Sequence, residues 1–233
     1  SALLISAVCA GRKMKICANG EHGADYIHMT ENIMWSFGAD VKECARTYEV
    51  EGEYSPKRYH IEPDVSGACY FYAMNKILGT DVCVDGLMPH SMQGDINFID
   101  LIKNFDGGKV DMSDFSDQAL TLAAIAPYLD NPTEICNVRH IRGQECDRIK
   151  AIVKNLTAMG VECEEREDGV KIYPSQPHGA HVDTFGDHRV AMSFAVTGLR
   201  ADGIIIDNAE VCSKTFGDFF EKLDFLTQVL TED

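Results

Sequence analysis

No apolar run in this chain is long enough to cross a bilayer: runs such as 120–126 fall well short of the roughly 20 residues a spanning helix needs. No basic segment followed by an apolar stretch marks a signal peptide, so the expectation is a soluble chain with no membrane partner. Positive charge is also scarce, with 21 Lys and Arg against 37 Asp and Glu and a net charge of −16. None of the lysines cluster densely, and a phosphate backbone needs a basic face, so nucleic acid is excluded as a partner. The C-x-x-C spacing is absent, and the nine cysteines are odd in number. Several of them, Cys69 and Cys136 among them, interrupt apolar segments. Reduced, buried thiols in a cytoplasmic protein are expected rather than a disulfide framework. Neither a G-x-G-x-x-G nor a Walker sequence follows any candidate strand, which removes the doubly wound nucleotide-binding folds.

What the chain does have is core material and rhythm. Hydrophobic residues make up 45% of 233, ample for one large domain or two small ones. Tyr26, Met29, Ile33 and Phe37 fall at helical spacing, Gly38 stops that helix, and 41–50 reads as a strand. The same grammar returns: Ile99, Leu101, Ile102 and Phe105 run into Gly107 and Gly108 and then a short strand. Ile149, Ile152, Val153, Leu156 and Met159 run into Gly160, with 161–173 read as extended. Phe219, Phe220, Leu223, Phe225 and Leu226 form a last helix. Between these come helices over 66–78, 117–128 and 188–199, each followed by a short strand at 80–84, 134–138 or 203–207. A two-helix, several-strand unit of about 60–70 residues recurs three times or more, which makes the chain an α/β repeat protein. The segments 119–126 and 190–196 are apolar on more than one face, which predicts helices inside and sheets outside.

Charged residues gather in three places. Gln144, Glu145, Cys146, Asp147 and Arg148, then Asp187, His188 and Arg189, then Ser213, Lys214 and Thr215 each stand beside helical periodicity. Together they suggest helix starts lining a cleft for a phosphorylated or carboxylated substrate. In so acidic a chain, an anion site has to come from a few placed cations and backbone amides. Each residue alone has a plainer reading: Asp117 as a helix N-cap, Glu145 as a solvated first-turn glutamate, the arginines as surface ion pairs, His188 as a structural histidine and Tyr26 as a core aromatic; against the plain reading of Glu145, Arg148 three residues on shares its helix face. A competing reading takes His178, His181 and Asp183, with Asp187 and His188 nearby, as ligands of a hydrolytic metal.

The segments D-M-S-D-F-S-D at 111–117, H-I-R-G-Q-E-C-D-R at 140–148, D-H-R-V-A-M at 187–192 and S-K-T-F-G-D-F-F at 213–220 resemble, in order, the signatures of the 5-enolpyruvylshikimate-3-phosphate (EPSP) synthase family, as does H-S-M-Q-G-D at 90–95. The related UDP-N-acetylglucosamine enolpyruvyl transferases lack the D-H-R-x-A-M and E-x-D-R forms and rank below. The resemblance implies an inverse α/β barrel of β-α-β-α-β-β units and transfer of the enolpyruvyl group of phosphoenolpyruvate to the 5-hydroxyl of shikimate-3-phosphate, with no metal or organic cofactor. It implies Asp117 and Glu145 as the acid/base carboxyls, Arg148, His188, Arg189 and Lys214 as the phosphoenolpyruvate grip, and Tyr26, Asp117, His140 and Gln144 as contacts to shikimate-3-phosphate. Gln144 stands where many members have lysine and His140 where others have asparagine. It also implies that residues 1–61 are the last part of an upper domain and 62–233 a lower domain without its N-terminal strand. The family's Ser-Ser-Gln triplet, N-terminal lysine motif, glycine loop and a further arginine are then expected ahead of Ser1, on a missing N-terminal segment that completes the enzyme.

Overall fold

The computed structural model describes residues 1–19 and 23–232, which divide into two compact units. The first comprises Ser1–Glu62 with Met88–Gly94, and the second Pro63–Leu87 with Asp95–Asp233.

In the first unit, α1 (Ala2–Ala7) and α2 (Ala24–Ser36) accompany a three-stranded antiparallel sheet of β1 (Met14–Cys17), β2 (Ala39–Cys44) and β3 (Thr47–Gly52) in the order β1-β3-β2. Its core is Leu4, Ala7, Val8, Met34, Ala39, Val41, Tyr48 and Val50. Gly38 ends α2 as expected, at φ +97°, a conformation that costs glycine nothing. The extended reading of 41–50 resolves into a hairpin that reverses through Ala45 and Arg46, both left-handed at φ +47° and +61°.

In the second unit, three helices are almost wholly buried: α3 (Val65–Leu78), α5 (Ala119–Ile125) and α7 (His188–Thr197). Every residue of α5 is inside, which is the fate of a segment apolar all round. Between them run α4 (Ile96–Asn104) and α6 (Arg148–Ala158), with α8 (Phe219–Glu232) last. Strands β4 (Gly108–Asp111), β5 (Thr133–Cys136), β6 (Cys163–Arg166) and β7 (Gly169–Ile172) form a sheet in the order β4-β5-β7-β6. Here β4 and β5 are parallel and the β6–β7 hairpin is antiparallel. With α5 and α6 interleaved, residues 108–172 spell one complete β-α-β-α-β-β unit. A shorter echo follows in β8 (His181–Val182), α7 and the parallel β9 (Ile205–Ile206). In β4 and β6 only Val110 is buried, so the sheet covers the helices from outside.

Two expectations need correction. The stretch 161–173 is a hairpin rather than one strand. The expected strand at 80–84 does not form: the Asn75 amide takes the backbone groups a neighbouring strand would use, accepting from Val82 N at 3.0 Å and donating to Val82 O at 2.7 Å.

A row of polar side chains, all but Ser66 buried, runs through this core. Ser66 Oγ and Gln118 Nε2 donate to Asp95 Oδ2 at 2.5 and 2.7 Å, Thr121 Oγ1 donates to Gln118 Oε1 at 2.9 Å, and Ser193 Oγ of α7 lies 3.4 Å beyond. Burial pushes the Asp95 carboxyl above the usual carboxylate range, and the two donors temper the shift.

All nine cysteines are free; Cys69, Cys136 and Cys212 are buried, whereas Cys9, Cys17, Cys44 and Cys83 are exposed, against the expectation of buried thiols. No described helix is long and apolar enough to cross a membrane.

Candidate active site

Two aspartates set the site by starting its helices. Asp147 caps α6 by accepting from Lys150 N at 3.0 Å, and Asp187 caps α7 by accepting from Arg189 N at 2.9 Å. Each cap is followed at the first helical positions by basic side chains: Arg148 on α6, His188 and Arg189 on α7. The third cluster differs from expectation, because Lys214 ends a 3-10 helix, Ala209–Lys214, instead of starting α8. Glu145 likewise lies three residues before α6 rather than in its first turn.

These elements line a pocket of about 540 Å³ whose walls are Asp117, Gln144, Glu145, Arg148, His188, Arg189, Lys214 and Thr215. All eight belong to the second unit. Of the ten residue roles assigned from sequence, those of Tyr26 and His140 fall outside the walls. His140 Nε2 sits 2.7 Å from Ser116 Oγ, and Tyr26 lies on α2 of the first unit, about half exposed at 52%.

Asp117 is the hub of the pocket. Its Oδ1 accepts from Arg148 Nη1 at 2.9 Å and its Oδ2 from Arg189 Nη2 at 3.0 Å. The residue that directly precedes α5 is Gln118. Gln144 joins the hub through its Oε1 and the Arg148 guanidinium. Arg148 is also held from behind, its Nε donating to Asp187 Oδ2 at 2.8 Å. With side chains 3% and 0% exposed, that pair is locked into one geometry. Glu145 pairs with Lys214 at the open side, where both side chains meet solvent.

Electrostatics sorts these groups. Burial raises the Asp187 carboxyl, but the Arg148 guanidinium and the Arg189 amide outweigh it and hold it below its ordinary value. Burial lowers His188, Asp187 opposes and Arg189 reinforces, so the imidazole is held below its ordinary value. Burial and then Asp187 push the Cys146 thiol up to about 12, which leaves no thiolate nucleophile there. Three cations face two carboxylates on the walls, a balance that favours a small anion.

Two residues of the three charged clusters take part beyond the ten roles assigned from sequence. Thr215 stands on the wall, and Asp187 orients Arg148 while capping α7. The signal for Asp187 was present, since an Asp just before an apolar helix reads as an N-cap. Asp187→Ala is expected to lower unfolding free energy by about 3–5 kcal/mol by leaving Arg148 buried with one partner fewer. Because the folded carboxyl titrates below its unfolded value of about 3.9, this stability is present above that pH and disappears as pH falls through the lower folded value. Urea unfolding of chain and variant from neutral to acid pH checks both statements.

The metal reading of His178, His181 and Asp183 does not assemble. His181 Nδ1 meets Asp207 Oδ1 at 3.0 Å, Asp183 takes Lys154 at 2.7 Å, and His178 Nδ1 lies 3.0 Å from the Gly179 carbonyl. Among the described residues these three form no ligand cluster.

Comparison with known proteins points one way. The family model for EPSP synthase (3-phosphoshikimate 1-carboxyvinyltransferase) matches residues 1–106 and 101–223. A 3-phosphoshikimate 1-carboxyvinyltransferase of Trichormus variabilis is 38% identical, over 95% of this chain and 58% of its own length. One from Methanospirillum hungatei is 35% identical, over 96% and 58%. The chain thus spans well under two thirds of the curated relatives it matches. In structure, EPSP synthase from Acinetobacter baumannii superposes with a TM-score of 0.79 at 21% identity, over 94% of this chain and 57% of that one. The enolpyruvyl transferase NikO from Streptomyces tendae gives 0.66 at 18%, over 97% and 57%. These neighbours fix the fold as the inverse α/β barrel, with the buried helices and outer sheets described above. The matched family model covers nearly all of the chain, and the chain belongs to the EPSP synthase family.

Proposed function

We propose that this chain supplies one wall of a 3-phosphoshikimate 1-carboxyvinyltransferase, which moves the enolpyruvyl group of phosphoenolpyruvate to the 5-hydroxyl of shikimate-3-phosphate and releases phosphate. The observation that carries the reading is the pocket itself, where Asp117, Glu145, Arg148, His188, Arg189 and Lys214 meet on a single concave surface. Residues 1–61 would belong to the upper domain and 62–233 to the lower one. The remainder of the cleft would come from the part of the relatives' length that this chain does not span. Free thiols throughout support a reducing compartment, the cytoplasm.

The chemistry requires two proton transfers. The hydroxyl loses its proton as its oxygen bonds to the enol carbon, and a proton adds to the methylene carbon. Elimination then returns a proton from the new methyl group as phosphate leaves. Asp117, pinned by two guanidinium groups, suits the task of orienting the hydroxyl and drawing its proton. Glu145, at the open side, suits delivery to carbon. Arg189 and Lys214 are the more accessible cations, with side chains 15% and 57% exposed against 3% for Arg148. In this reading they and His188 grip phosphoenolpyruvate most directly, and Arg148 acts both on the ligand and through Asp117. Gln144 stands on the wall for shikimate-3-phosphate; Tyr26 and His140 are assigned to the same ligand on the family resemblance alone.

Phosphate release from phosphoenolpyruvate plus shikimate-3-phosphate, by a polypeptide of the relatives' length carrying this chain, tests the function. Absence of release from folded protein overturns it. Arg189→Lys keeps the charge and loses the planar fork, so phosphoenolpyruvate is expected to bind more weakly while shikimate-3-phosphate is little affected. Calorimetry with each ligand separates these, and equal weakening of both removes Arg189 from the discriminating role.

A further inference from the structure

Apart from the pocket, the first unit holds a buried carboxylate that makes no ion pair among the described residues. Glu31, on α2, is 3% exposed, and its Oε1 has no hydrogen-bond partner. A buried charge is strongly disfavoured unless something pairs with it, and burial accordingly raises its carboxyl above the ordinary value, with Glu43 adding to the shift and His28 opposing it. His28 stands three residues earlier on the same helix, on the same face. Glu43 reaches across from β2, and its Oε2 is 3.3 Å from His28 Nε2. One ligand atom from each of the three lies within 4.8 Å of the others, the one such cluster among the described residues.

We propose that His28, Glu31 and Glu43 bind a first-row divalent cation of borderline hardness, of which Zn²⁺ is the probe, and that the ion fastens α2 to β2. An imidazole with two carboxylates is a donor set for such ions and not for the all-oxygen cages of Ca²⁺. A tetrahedral zinc with bonds of about 2.0–2.2 Å has ligand edges of about 3.3–3.6 Å. The His28–Glu43 separation already equals such an edge, and Glu31 completes the set by a small side-chain movement. Glu43 is oriented from behind by Tyr48, whose buried hydroxyl donates to Oε1 at 3.0 Å. That hydroxyl is pushed up to about 12 by burial and by Glu43, so it remains a donor. His28 and Glu43 stay partly exposed, which provides the entry path and leaves a position for water. The ion takes no part in enolpyruvyl transfer, and the site stands independently of the activity proposed for the pocket.

The test is a titration of the 233-residue chain with Zn²⁺ by calorimetry, together with melting curves of the chain, Glu31→Gln and Glu43→Gln. The chain is expected to bind one ion and to melt at higher temperature with it. Glu31→Gln should melt higher than the parent without metal, because a buried unpaired charge is gone, and should lose the Zn²⁺-induced shift, so the order of stability inverts when zinc is added. Glu43→Gln changes a partly exposed side chain and should lose the shift with the fold intact. Co²⁺ in place of Zn²⁺ identifies the donors: nitrogen and oxygen ligands give no thiolate charge-transfer band, whereas capture by the exposed cysteines does. Absence of binding, equal shifts in parent and variants, or a thiolate band each overturns the proposal.

Discussion

Glu145→Gln is expected to lower turnover by roughly 100-fold or more, the usual cost of losing a general acid or base, while both substrates bind nearly as before. The expectation comes from how unequally the two pocket carboxylates are held. Asp117 is fixed by two arginines, one of them clamped from behind by Asp187. Glu145 has a single cation, Lys214, in a solvent-facing pair of the kind worth about 0–1 kcal/mol. A group that must meet the methylene carbon, give up its proton and later take one back has to move and has to release its partner cheaply. Glutamine keeps the size and can hydrogen-bond but carries no transferable proton. Two readouts separate the roles: phosphate release gives turnover, and solvent deuterium entering the methylene group reports protonation at carbon. Unchanged turnover removes Glu145 from the proton transfer.

The second large effect concerns the 233-residue chain alone, which is expected to fold and to show no detectable transferase activity, with at most weak anion binding at the pocket. Folding follows from two self-contained cores, one in each unit. Inactivity follows from the pocket, which is open and lined by one unit only, in a chain that spans 58% of its relative from Trichormus variabilis. Holding two reactants in register in a site closed to water supplies about 7–11 kcal/mol of a barrier, and half a cleft cannot provide it. The part of a relative's length that this chain does not span, added in trans, is expected to restore some activity. Turnover by the rigorously purified chain near that of a full-length enzyme would show the rest of the cleft to be dispensable.

The helices were the most legible part of the fold, because apolar residues at i, i+3 and i+4 have one physical reading when glycine stops follow them. Gly160, at φ +78° after α6, is such a stop. Hairpins were opaque for a local reason: a two-residue turn with both residues left-handed normally announces itself as Asn-Gly, and here Ala45 and Arg46 hold it without that signature. The absent strand at 80–84 was equally invisible, since periodicity does not show that an asparagine side chain will stand in for a neighbouring strand. At the site, the motifs located the cations but not their partners. That Arg148 would be spent on Asp117 and Asp187, leaving Lys214 for Glu145, depends on contacts 31, 39 and 69 residues apart.

The polar row from Ser66 to Ser193 has a consequence for assembly. Repeated units create an ambiguity of address: α3, α5 and α7 are all buried, largely apolar helices, and apolar contact is non-directional, so oil-like packing alone barely distinguishes the right neighbour, or the right rotation, from a wrong one. Hydrogen bonds are directional. If α5 turns or trades places, Asp95 loses Gln118 and Thr121 loses Ser193, and leaving buried polar groups without these partners costs about 1–3 kcal/mol each, enough to disfavour the misassembled core. The three helices are thereby keyed to one another, and because Asp117 and Arg189 sit at the starts of two of them, the key that prevents a shuffled barrel also keeps the hub of the pocket in focus.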